Sequence, residues 1–169
     1  MRRVAKEEYD LERQLSVCFT GHRPDKLPWG EYEDEEDCVK LKKQLEAEIV
    51  RAYKEGARYF LSGMADGFDV YAAEAVLRLS WRCPGMKLVT VFPFGWGDTP
   101  RKRRIEKRAF RSVSLHESYV RTSYMERNYF LVKNSARIIA GFSGDEASGT
   151  AATLRMAKRE GLGVVILSV

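Results

Sequence analysis

RYFLSGMADGFD, running from Arg58 to Asp69, decides the fold class of this chain. Its first residues form a short apolar run that stops at Ser62-Gly63. A second glycine follows at Gly67, and helical spacing of apolar residues begins at Phe68. A strand that passes into a helix through a glycine-bearing turn is the recurring joint of a parallel α/β sheet. Upstream, Leu15 to Thr20 make a second apolar run, closed by Gly21. Between the two runs Cys38, Leu41, Leu45, Ile49, Ala52 and Tyr53 recur at helical spacing, and Gly56 stands where that helix would stop. The segment therefore reads as strand, helix, strand. Downstream the alternation continues with a helix over 68–81, punctuation at Cys83-Pro84-Gly85 and a strand over 87–92. A basic helical stretch, a short strand candidate over 112–116 and a helix over 124–135 come next. A strand over 137–141, a helix over 149–160 and a strand over 164–167 complete the pattern. The fold class expected is α/β: a Rossmann-like three-layer sandwich with a mainly parallel central sheet flanked by helices. Runs such as Val164-Val165-Ile166-Leu167 suit a sheet covered on both faces, joined by right-handed crossovers.

The totals fit this reading. A chain of 169 residues suits one domain that buries a core without disulfides or metals. Residues 15–169 are expected to form it, with 1–14 as a loose N-terminal arm. Hydrophobic residues at 44% and charged residues at 31% exclude a disordered or fibrous chain. No apolar run approaches the roughly 20 residues of a membrane span, and the opening MRRVAKEEYDLERQ mixes charge signs instead of leading into a signal core. A cytoplasmic protein with no membrane partner is the expectation. Cys18, Cys38 and Cys83 are widely spaced and two histidines are few, so reduced thiols and no metal are expected. Between Arg101 and Arg111 seven basic residues face Glu106 alone. That run reads either as a solvated helix face or as a contact for phosphate or nucleic acid. The six carboxylates from Glu31 to Asp37 precede a helical pattern and complement its positive start.

In an open parallel sheet, ligands settle beyond the carboxyl ends of the strands, where loops meet helix starts. Three turns here carry that pattern. In Thr20-Gly21-His22-Arg23-Pro24, Gly21 allows close backbone approach, and His22 and Arg23 can donate to an anion. In the turn from Ser62 to Asp69, Gly63 and Gly67 permit amide contact with a phosphate. The spacing matches neither the dinucleotide fingerprint nor a Walker loop. In the turn from Gly141 to Thr150, the amides of Gly149 and Thr150 and the Thr150 hydroxyl open a helix, next to Ser148. Read alone, the first is equally a turn whose arginine faces water, and the other two are accounted for by helix caps: Asp66 or Asp69 in the second, Ser148 or Thr150 in the third. Trp96 could stack on a base or pack under its own loop. Tyr124, Asn128 and Leu131 share one helix face, with Arg127 beside it as a bidentate partner for phosphate or carboxylate, or as half of a surface ion pair.

Taken in order, TGHRP, SGMADGFDVYAAEA, VFPF, YMERNYFLV and SGTAAT resemble the YpsA-like branch of the SLOG superfamily, over roughly residues 15–169. That superfamily also holds the DNA-processing protein DprA and the lonely-guy phosphoribohydrolases. The SGMADGFD motif is similar to the DprA pattern, but Ala73 stands where histidine is usual there. Arg127 matches the lonely-guy arginine and Gly149-Thr150 match its Gly-Thr, whereas Thr153 occupies the position of the glutamate. A threonine cannot act as a carboxylate base. The resemblance implies a nucleotide-derived ligand such as ADP-ribose or a nucleotide sugar, and self-association. Gly21, Arg23, Gly63, Gly67, Ser148, Gly149 and Thr150 would cradle phosphate or ribose, with Thr20, His22, Ser62 and Trp96 alongside. Arg127 and Asn128 would fix the ligand and Asp69 would accept from ribose hydroxyls. The alternatives are a nucleotide N-glycosidase with Asp66, Asp69 or Glu74 supplying the carboxylate, and DprA-like nucleic-acid binding.

Overall fold

The computed structural model describes all 169 residues. Seven strands, β1 (Arg2–Ala5), β2 (Ser16–Gly21), β3 (Tyr59–Ser62), β4 (Lys87–Phe92), β5 (Arg111–Ser114), β6 (Arg137–Phe142) and β7 (Gly163–Ser168), form one sheet in the order β1-β5-β4-β3-β2-β6-β7. Every ladder is parallel. The helices are α1 (Glu36–Lys54), α2 (Phe68–Ser80), α3 (Pro100–Arg108), α4 (Ser123–Lys133) and α5 (Gly149–Arg159). The molecule is a Rossmann-like α/β sandwich, and none of its helices is long and apolar enough to cross a membrane.

The two-residue period of the strands divides the core into two layers. Val17, Phe19, Phe60 and Leu88 face α1 and α2, while Cys18, Leu61, Val89 and Ile138 face α4 and α5. The stripe Cys38, Leu41, Leu45, Ile49 and Ala52 is buried as its spacing predicts, and Gly56 ends α1 in the left-handed region at φ 110°. From β2 the chain steps outward to β3, β4 and β5. It then returns past its starting point to β6 and β7. The sheet order thus reverses between β2 and β6, the place where an open parallel sheet parts its loops and leaves a crevice.

Two expectations are corrected at the sheet edges. The N-terminal arm is not loose at its start: residues 2–5 form β1, paired to β5 from Arg2 opposite Arg111 to Ala5 opposite Ser114. As an edge strand β1 buries only Val4, so it shows no apolar run in the sequence. At the other edge β7 is not covered on both faces. Ile166 is 48% exposed and Leu167 is the buried residue of the strand. The candidate strand over 112–116 exists as β5, shifted to 111–114.

At the reversal, Gly21 of β2 lies opposite Gly141 of β6. A Cβ on either would lie 2.4 Å from the ring of Phe68, the first residue of α2 and fully buried. The paired glycines let α2 settle onto the sheet. Gly67, at φ 88°, is confined on its own account, because a Cβ there would stand 2.6 Å from the His22 carbonyl oxygen. Gly21→Ala should therefore lower stability by about 1–3 kcal/mol through overpacking. At about 2–4 °C of melting temperature per kcal/mol for a chain of this size, calorimetry will resolve the change. Gly149→Ala, with nothing within 4 Å of the added methyl, should stay within about 0.5 kcal/mol of the parent.

Candidate functional site

The turns after β2, β3 and β6 converge on a cleft of about 230 Å³ at the carboxyl ends of the strands. Thr20, Gly21, His22, Arg23, Asp69, Arg127, Asn128, Ser148, Gly149 and Thr150 all line it. A second hollow of about 290 Å³ adjoins it and shares Arg23, Ala65, Tyr124 and Arg127. Gly63 and Trp96 border this second lobe.

The turn after β2 contributes a brace and a free cation. His22 is buried, and its Nε2 accepts the Ser143 backbone N–H at 3.1 Å. Nε2 also lies 2.8 Å from the Ser143 hydroxyl, while Nδ1 lies 3.4 Å from the Thr150 hydroxyl. A ring nitrogen that accepts a backbone N–H is unprotonated, so the neutral tautomer carries its proton on Nδ1. Burial, reinforced by the Lys26 charge, holds the His22 pKa below its usual value. His22 therefore ties the first turn to the third and is not the cationic donor that its place in the motif suggests. Gly21 likewise makes room for Phe68. Arg23 is exposed, forms no ion pair or side-chain hydrogen bond, and holds its guanidinium 5.4 Å from the centre of the Tyr124 ring. Lys26, three residues on, is engaged by Asp145 at 2.7 Å.

The turn after β3 is fixed from within. Ser62 is fully buried, donates to the Asp69 carbonyl at 2.8 Å and accepts the Met64 N–H at 3.2 Å. It shapes the turn and lies off the cleft. These bonds help hold Met64 at φ 58°, a left-handed conformation that a residue with a side chain rarely adopts. Gly63 gives way to Arg127, since a Cβ there would fall 2.8 Å from the arginine Cδ. Arg127, buried on α4, donates to the Gly63 carbonyl and, through Nε, to Asn128 Oδ1 at 2.8 Å. Gly67 borders a separate hollow with Tyr71 and Arg101.

Asp69, in the first turn of α2, is 5% exposed. Its Oδ2 accepts the Ala65 N–H at 3.3 Å, and its Oδ1 has no partner. Burial pushes the carboxyl up to about 6, with the Arg127 charge pulling in the opposite direction. The other two candidate carboxylates stand elsewhere. Asp66 is exposed on the second lobe, 3.2 Å from Lys102. Glu74 is bound by Arg101, which also grips Glu33 at 2.6 and 2.8 Å, in a network off the cleft. Hydrogen bonds from Arg101 and Lys42 hold Glu33 down to about 2. Part of the acidic run thus balances α3, beyond complementing α1.

The turn after β6 presents the start of α5. Ser148 caps it, its Oγ accepting the Ala151 N–H at 3.1 Å and donating to the Asp145 carbonyl at 2.6 Å. The Gly149 and Thr150 amides belong to the first turn, where the helix supplies no acceptor. The missing Cβ of Gly149 opens on empty space. Thr153 is buried and donates to the Gly149 carbonyl at 3.0 Å, away from the cleft.

In the second lobe, Trp96 already carries the Arg3 guanidinium 4.2 Å from its ring centre and meets Phe92 edge-on. Phe94, Tyr119 and Tyr124 form a cluster of edge-on and tilted rings at the rim. The basic segment is partly consumed inside the protein: Arg101 by Glu33 and Glu74, Lys102 by Asp66 and Asp98, Arg111 by Asp10. Arg104, Lys107 and Arg108 remain exposed without such partners. Sequence reasoning did not place Asp25, Lys26, Ala65 or Tyr124 at the cleft. Tyr124 sits one turn before Asn128 on a face already singled out, and Lys26 lies one short turn after Arg23. Those spacings were the available signals.

Residues 17–161 match a family model described as the YspA SLOG family, a span that contains all three turns of the cleft. Among curated proteins nothing matches.

The brace at His22 has a pH signature. Its folded pKa lies below the unfolded value of about 6.5, so its contribution is complete above that pH and is lost as the pH falls beneath it. His22→Gln should lower stability by about 1 kcal/mol at pH 7.5. In urea unfolding the gap between parent and variant should narrow from pH 7.5 to pH 5; a gap that is constant or widens contradicts the neutral-ring assignment.

Proposed function

The chain belongs to the YspA SLOG family, whose membership points to nucleotide-related binding or processing, and we propose that this protein binds a phosphate-bearing nucleotide derivative in the cleft. One observation carries the reading: the first turn of α5, with its two unpartnered amides and open Gly149, lines the same hollow as the unpaired Arg23. Helix-start amides and the helix dipole favour an anion. An exposed guanidinium without an internal partner supplies its counter-charge. The adjoining lobe, reached past Tyr124 and Arg127, leaves room for the remainder of a nucleotide, and ADP-ribose or a nucleotide sugar matches two joined hollows.

Thermal-shift and calorimetric measurements with AMP, NAD, ADP-ribose and nucleotide sugars test this reading. At least one should bind. Arg23→Gln should weaken that ligand about tenfold or more, as expected for a lost charge-assisted hydrogen bond, while the melting temperature of the free protein stays within a degree or two. Folded protein that ignores the whole panel contradicts the proposal.

Asp69 favours a second reading, hydrolysis of a nucleotide N-glycosidic bond. Thr153 is turned away from the cleft, and Asp69 is the candidate carboxyl inside it, with a pKa suited to proton transfer near neutral pH. Chromatography after incubation with nucleoside monophosphates would then show free base. Asp69→Asn should abolish its release while Glu74→Gln preserves it.

A further inference from the structure

We propose that Asp69 makes the cleft selective for a sugar phosphate, its free Oδ1 accepting a hydrogen bond from a sugar hydroxyl while the phosphate rests at the start of α5 beside Arg23. The inference deepens the proposed function and rests on it.

Buried carboxylates elsewhere in the fold are satisfied. Glu106, equally hidden, accepts from Arg3 at 2.9 Å, from the Ser112 hydroxyl at 3.2 Å and from the Gly97 N–H at 3.2 Å. Buried Arg127 has the Gly63 carbonyl and Asn128 as acceptors. Asp69 is the exception. Of the three buried side-chain atoms left without partners, those of Tyr9 and Ser135 do not line the cleft, and Asp69 does. An acceptor removed from water and left unpaired is expensive, so a native fold keeps one for a reason. Folding gives no reason here. Gly67 caps α2 without a side chain, and the one hydrogen bond that the Asp69 side chain makes inside the protein is the long contact to Ala65.

The chemistry of the surroundings narrows the occupant. A carboxylate facing a phosphate site repels a bare anion, and Arg127 only partly offsets this. A hydroxyl bound to the same molecule as the phosphate is attractive, because it brings the donor that Oδ1 lacks. The site therefore disfavours inorganic phosphate and favours a phosphate that carries a polyol, discriminating by repulsion as well as by attraction. The sugar phosphate, not the base, is what the first lobe reads.

The test is a ligand series on the intact protein: inorganic phosphate, ribose 5-phosphate, AMP and 2′,3′-dideoxy-AMP, each by calorimetry. Ribose 5-phosphate should bind about tenfold or more tightly than phosphate, and AMP about tenfold or more tightly than its dideoxy form, the scale of one hydrogen bond to a charged group. Asp69→Ala, which removes the acceptor and the charge together, should bring AMP and dideoxy-AMP together and improve binding of inorganic phosphate. If that variant does not fold, the series on the parent protein decides alone. Equal affinity for AMP and dideoxy-AMP in the parent overturns the role of Asp69 and leaves the phosphate cradle standing. Failure of every phosphate to bind overturns both.

Discussion

Phe68 rests on a pair of glycines, Gly21 and Gly141, that face each other across β2 and β6 where the sheet order reverses. From that contact the arrangement of the cleft follows. With a side chain on either strand, α2 could not reach the sheet at this point. Asp69 would then leave the crevice, and the turn that carries Gly63 would lose its place beneath Arg127. The glycines that look like a ligand's approach are thus first a packing requirement between helix and sheet, the kind of close fit that a dense core does not relax. Gly149 has neither a protein atom within 4 Å of an added Cβ nor a left-handed backbone to account for its missing side chain.

Two cross-braces, of opposite electrostatic character, then lock the three turns together. Neutral His22 links the first turn to the third through Ser143 and Thr150. Charged Arg127 ties α4 to the second turn through the Gly63 carbonyl and lies close enough to Asp69 to moderate its carboxyl. What these braces leave unsatisfied is a short set: the opening amides of α5, the guanidinium of Arg23 and one oxygen of Asp69. Donors and an acceptor left over in one hollow describe the complement of a ligand that has both an anion and a hydroxyl.

Charge elsewhere serves the architecture. The acidic run before α1 and the basic run of α3 read in isolation as a dipole complement and a polyanion contact. In the fold they meet: Glu33, just before α1, and Glu74 of α2 close on Arg101 of α3, and Lys42 of α1 joins them through Glu33. Such linked charges hold geometry even where each exposed pair contributes little stability. Glu106 does the same on the far side, drawing β1 onto the sheet through Arg3.

The sequence by itself determined the layer architecture, because apolar runs, helical spacing and glycine-bearing turns are local signals that carry their own periods. The helical stripe from Cys38 to Ala52, the strand from Lys87 to Phe92 and the three candidate turns were all legible from it. Tertiary structure alone decided what depends on neighbours distant in the chain. The edge position of β1 and β7, the occupation of Glu74 by Arg101, the neutral state of His22 and the isolation of the Asp69 oxygen are of this kind. A residue's type states which bonds it can make. Which of those remain for a ligand is settled by what the folded chain has already used, and that is a property of contacts across 27 to 128 residues of sequence.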